Sequence, residues 1–126
     1  QGIAPDGWHI PEVVEWRAVI DYLGGIDIAG ARLKDLNSSL WSQNSQDISD
    51  ASGFAAFPGG FCLNNTSYQE EGESAYFWTA SPSIVNHAYH ILLSNHDSRA
   101  NVLGHQDSKR FGYSLRCVMN SSCLSD

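Results

Sequence analysis

The sequence predicts an α+β domain, with two N-terminal helices followed by loops and a small antiparallel sheet. Three observations carry this. Helical periodicity is confined to the first third of the chain, the stretch after Trp41 is rich in Ser, Asn and Asp, and the later apolar segments are short, like strands.

The first helix is expected over Pro11–Leu23. Val13, Trp16, Val19, Ile20 and Leu23 recur there at steps of three and four, the spacing of one helix face. Pro11 suits a first turn, Glu12 and Glu15 favour the positive N-terminal end, and Gly24-Gly25 stops the helix. A second, shorter helix is expected over Ile28–Leu36, with Ile28, Ala29, Leu33 and Leu36 on one face and Lys34 near its end. Ser42–Ser52 reads as an ordered polar loop, Gly53–Phe61 as a short strand running into a turn, and Asn64–Ser74 as another polar loop. Ala75–Thr79, Ala88–Leu93 and Tyr113–Met119 read as strands. Trp8, Trp16, Trp41 and Trp78 are expected to pack between elements, since aromatics dominate core burial.

Length and charge narrow the function. The 126 residues suit one domain spanning 1–126, because halving them would leave two poor cores. No stretch approaches the roughly 20 apolar residues of a membrane helix. The opening Gln1-Gly2-Ile3 lacks the basic and apolar regions of an export leader, and the chain reads as a module of a larger protein. Seven basic against fourteen acidic residues give a formal charge of −7. That field argues against nucleic acid and against anionic membrane surfaces. Cys62, Cys117 and Cys123 lack metal-type spacing. The aromatic, glycine-rich and weakly charged composition suits an extracellular or cell-surface location.

Three motifs carry a resemblance. They are Pro5-Asp6-Gly7-Trp8-His9-Ile10-Pro11 with Glu15-Trp16 and Tyr22-Leu23-Gly24-Gly25, then Ser52–Gly60, then Phe111-Gly112-Tyr113-Ser114-Leu115-Arg116-Cys117-Val118. In this order the chain resembles the Fibrobacter succinogenes major paralogous domain family, common in exported proteins of Bacteroidetes and their relatives. Ala29–Lys34 and Tyr76–Ser81 are similar to that family's second helix and aromatic strand. The resemblance covers Pro5 to Val118 and implies a C-type-lectin-like fold of the formylglycine-generating-enzyme branch.

The chain departs from the family at Ala4, where members often carry a cysteine that could pair with Cys117, and at Gly104, where a basic or polar residue is frequent. Cys62 has family counterparts, so the resemblance implies a Cys62–Cys117 disulfide with Cys123 left over. Cys62–Cys123 and Cys117–Cys123 remain open. Arg116 is expected to serve a carboxylate or carbonyl in a half-buried strand.

No catalytic residue is expected. The cysteine pair and copper of the oxidase branch are not matched, and no Gly-x-Ser-x-Gly frame is present. Glu70, Glu71 and Glu73 read as a solvated face. His87 and His90 lie three apart and would point to opposite faces of a strand, and His96, Asp97 and His105 form no convergent set. No cofactor is expected beyond calcium, for which Asn44, Asp47 and Asp50 supply hard oxygen ligands. The simpler reading of that loop is Asx residues capping their own backbone.

The most informative stretch is Asn86–Arg110, which holds four of the five histidines. Asn86, His87, Tyr89, His90, Asn95, His96, Asp97, Arg99, Asn101, His105 and Gln106 are poor core material but adaptable hydrogen-bonding surface. In C-type-lectin-like proteins the corresponding region forms the ligand face, and in some relatives diversity-generating retroelements vary it. The expected function is recognition of a surface glycan or protein, adhesin-like, with Tyr89 stacking on a sugar ring and Asn, Asp and His reading hydroxyls. The competing reading is a structural or anchoring module with no ligand of its own, and an accessory domain of a hydrolase or oxidase ranks third.

Overall fold

The computed structural model describes residues 2–35, 41, 52–63, 66–82, 87–103 and 111–120. Among these it is an α+β domain with helices α1 (Val13–Tyr22) and α2 (Ile26–Leu33). The strands are β1 (Trp8–His9), β2 (Phe61–Leu63), β3 (Ser67–Gln69), β4 (Ser74–Pro82), β5 (Ala88–Ser94), β6 (Ala100–Leu103) and β7 (Val118–Met119). They form antiparallel sheets ordered β1-β7, β2-β3 and β4-β5-β6.

Helix α1 starts where its free N–H groups find partners. Ser81 Oγ accepts from Val13 N at 2.9 Å, and the Glu15 carboxylate accepts from Glu12 N at 3.2 Å. It ends in a Schellman turn, with Gly25 N donating to Ile20 O at 2.9 Å and Gly24 N to Asp21 O at 3.1 Å. Gly24 and Gly25 have φ of 106° and 103°, a region an L side chain rarely adopts. Val13, Trp16, Ile20 and Leu23 are buried as expected, but Val19 is exposed. Gly25 also serves as N-cap of α2, so that helix starts two residues earlier than the spacing suggests and leaves Ile28 exposed. It stops at Leu33 because Lys34 turns extended and bridges Ala56.

Alternation along β4 divides the domain into two layers. Ala75 and Phe77 point to the helices and pack with Trp16, Ile20, Leu33, Ile91, Leu93 and Ala100. Trp16, Phe54 and Phe77 form an aromatic triangle with centroids 5.6–5.7 Å apart. Tyr76 and Trp78 point the other way, where Tyr113 lies 4.7 Å and 4.4 Å from them and His90 joins the cluster.

Several expectations need correction. Tyr113–Met119 is not one strand. Ser114 makes a single parallel bridge to Phe77, and only Val118–Met119 is a strand, paired with β1. The Asn64–Ser74 loop contains β3, and the expected polar face of Asn86–Arg110 contains β6. Trp8 is 42% exposed, because a two-residue strand buries only one side and His9 takes it. Among the described residues Arg116 meets neither carboxylate nor carbonyl; its guanidinium lies 4.0 Å over the Phe54 ring. The Cys62–Cys117 disulfide is absent, and both thiols are free. Cys62 is tied to Gly112 by two backbone hydrogen bonds of 2.8 Å, whereas Cys117 lies five residues on, beside β7 in a different sheet.

Candidate functional site

The segment expected to form one binding face is split by the pleat and by the length of β5, which spans roughly 20 Å. His90 is buried at 1% exposure, held between Trp78, Tyr76 and Tyr113. Asn95 is also buried, its backbone N–H donating to Glu73 O at 2.8 Å. His87 and Tyr89 are half-buried at the start of β5. His96, Asp97 and Arg99 are exposed in the turn at its far end, and Asn101 is half-buried in β6. Asn86, His105 and Gln106 lie outside the described residues, as do the calcium candidates Asn44, Asp47 and Asp50. Among the described residues no three His, Cys, Asp or Glu side chains converge to hold a metal ion.

The β5–β6 turn is held firmly. Its own side chains fold it, with Ser94 Oγ accepting from His96 N at 3.1 Å and Asp97 Oδ1 from Arg99 N at 3.0 Å. The fully buried Lys34 reaches it from the end of α2, donating from Nζ to Asp97 O at 2.8 Å and to Ser94 O. Burial pushes the Lys34 ammonium down to about 8, partly offset by the Asp97 charge. Ser98 inserts into α2 itself. Ala31 N donates to Ser98 O at 3.1 Å, and Ser98 Oγ donates to Asp27 O at 2.6 Å, so Ser98 meets both groups of one helical rung.

This docking sets the edge of β6 against α1 and α2 and leaves a cleft of about 350 Å³ between them. Ile20, Ile26 and Val102 line its apolar part, and Arg17, Asp21, Arg99 and Asn101 its polar part. Arg99 Nε lies 3.5 Å from Asp27 Oδ1, with both side chains more than half exposed. Arg17 makes no ion pair or hydrogen bond among the described residues, although Asp21 is one helical turn away. The cleft therefore offers guanidinium donors, a carboxylate, an amide and a small apolar floor.

Arg99 and Asn101 belong to the stretch singled out in the sequence; Arg17 and Asp21 do not. On the sequence they are an i, i+4 charged pair on the polar side of a helix, the pattern of a solvated face. Only the contact of α2 with β6 brings them to Arg99.

A second polar cluster sits at the other end of α1. His9 Nε2 lies 2.7 Å from Glu15 Oε1, and His9 Nδ1 lies 2.6 Å from Asn120 Oδ1. The hydrogen bond that His9 donates to Glu15, then the one it donates to Asn120, raises its pKa above the ordinary value. Through these bonds the cluster ties β1 to α1 and to the residue that follows β7.

No helix among the described residues is long and apolar enough to cross a membrane. No curated protein and no solved structure matches this chain. Residues 1–119 match the Fibrobacter succinogenes major domain, and the chain therefore belongs to that family.

Proposed function

We propose that the chain is an exported or cell-surface ligand-binding module of C-type-lectin-like fold that recognises a glycan or protein and catalyses nothing. The ligand site is the β5–β6 turn with the cleft beside it. One observation supports this above the others: Arg99 and Asn101 share a concave surface with Arg17 and Asp21 over an apolar floor. A few convergent polar groups around an apolar patch, in a space of roughly 300–1,000 Å³, are the usual make-up of a small-ligand site. The firm seating of the turn on Lys34 and α2 adds to it, because a preformed site loses less entropy on binding.

The competing reading, a structural or anchoring module, draws on an apolar groove of about 460 Å³ at the opposite end of β4 and β5. Ile3, Ile10, Trp78, Pro82, Ala88 and Leu115 line it.

Glycan and surface-protein arrays probed with the purified domain, with calcium and with chelator, separate the two readings. The ligand-binding reading expects a hit that survives Tyr89→Ala and is lost in an equally stable Arg99→Ala, Asn101→Ala variant. Silence on the arrays, or a hit unaffected by the double variant, rejects this site. The calcium arm tests the Asn44, Asp47 and Asp50 loop.

A further inference from the structure

We infer that the cleft between α1 and β6 takes a saccharide bearing a carboxylate, such as a hexuronic or nonulosonic acid unit. The inference rests on the ligand-binding reading and deepens it.

The chain as a whole is acidic, at −7, yet two of its seven basic residues face this one cleft. Arg17 has no partner among the described residues. Asp27 comes nearest to Arg99 at Nε, and at 3.5 Å the approach is longer than a hydrogen bond. The Arg99 guanidinium donates no hydrogen bond among the described residues, so its fork is available to a ligand. A guanidinium fork holds a carboxylate with two parallel N–H···O bonds, which neutral hydroxyls cannot match. A second guanidinium, that of Arg17, lines the same cleft and adds to the attraction for an anion.

The remaining residues select the rest of the ligand. Asp21 is an acceptor only and wants hydroxyl donors, and Asn101 both donates and accepts. Ile20, Ile26 and Val102 offer an apolar surface to the C–H face of a sugar ring. A glutamyl peptide fits less well, because its side chains carry no hydroxyl from which Asp21 could accept.

The test is calorimetric titration of the folded domain with two acidic probes and their neutral counterparts. Tri-galacturonic acid is compared with its full methyl ester, and sialyllactose with lactose; a glutamyl peptide is the third arm. We expect at least one acidic sugar to bind, its neutral counterpart to bind at least about tenfold more weakly, and Arg17→Ala and Arg99→Ala each to cost about tenfold. Unchanged melting of both variants separates lost contacts from lost fold. Equal binding of acid and neutral forms, full affinity in the arginine variants, preference for the peptide, or no binding of either acid overturns the inference. An array ligand lost in Asn101→Ala but indifferent to carboxylate would leave the ligand-binding reading standing. Silence everywhere removes both.

Discussion

Gly30 in α2 lies so close to the Arg99 carbonyl that a Cβ built on it would come within 2.0 Å of that oxygen. Ser98 O would be 2.7 Å away, so the obstacle is backbone that cannot swing aside. In an exposed helix, Gly→Ala stabilises by about 1 kcal/mol. Here the sign should reverse. Gly30→Ala must push α2 from the β5–β6 turn, and overpacking of this kind costs about 1–3 kcal/mol. Urea denaturation measures it, and an increase in stability would show that the helix and the turn do not meet as described. Because the cleft is built from the same contact, the variant should also lose the array ligand while remaining folded.

His9 should make stability depend on pH near neutrality. Both ring nitrogens face acceptors, Glu15 and Asn120, so the bonded form is the imidazolium. Its pKa is raised above 6.5, chiefly by the hydrogen bond to Glu15 and then by that to Asn120. A base whose folded pKa is raised contributes stability that is fully present below about pH 6.5 and fades as pH climbs through the folded value. The effect is small, because the pair is more than a third exposed. Glu15→Gln should return the His9 titration, followed by NMR, towards the ordinary value and flatten the pH dependence of melting. A His9 resonance that titrates at 6.5 in the parent would rule this out.

Cys62 and Cys117 should behave as two free thiols. Both are half-buried, so thiol reagents should label them slowly in the native protein and fully on unfolding without reductant. Reductant should leave the melting temperature unchanged, whereas loss of a native disulfide typically costs 2–5 kcal/mol. Peptide mapping that recovers a bridge between them would contradict the structure.

Much of the fold was legible where a single element settles its own boundaries. The spacing of Trp16, Ile20 and Leu23 and the Gly24-Gly25 stop identify α1, and alternation around Phe77 and Ile91 identifies β4 and β5. The failures share a cause. Ala100–Leu103 becomes a strand because Leu93, Leu92, Ile91 and His90 pair with it, and nothing in four mixed residues announces that. Tyr113 looks like strand material, but its ring is used against Tyr76 and Trp78. His90 looks like a surface residue and is buried, because the outer side of β5 is covered by Trp78 and Tyr113. The site follows the same rule. Arg99 and Asn101 stood out as poor core residues, whereas Arg17 and Asp21 acquire meaning only once Ser98 docks into α2.

Lys34 offers a test of how firmly that docking is held. Its ammonium is buried, donates to Asp97 O and Ser94 O, and lies 5.0 Å over the Trp41 ring. Burial lowers its pKa from 10.5 to about 8, so between those values the unfolded chain keeps a proton that the folded one has released. Stability contributed by this group therefore rises with pH across that window, the reverse of the His9 effect. Lys34→Met keeps the length of the side chain but leaves two carbonyls without their donor, at a cost of roughly 1–3 kcal/mol at pH 7. Raising the pH from about 8 to about 10 should widen the stability gap between parent and variant, since only the parent gains from the lysine. Subtraction removes the other titrating groups, which both proteins share. A gap that stays constant would mean that Lys34 titrates as an ordinary solvated lysine, and that the turn is not seated on it.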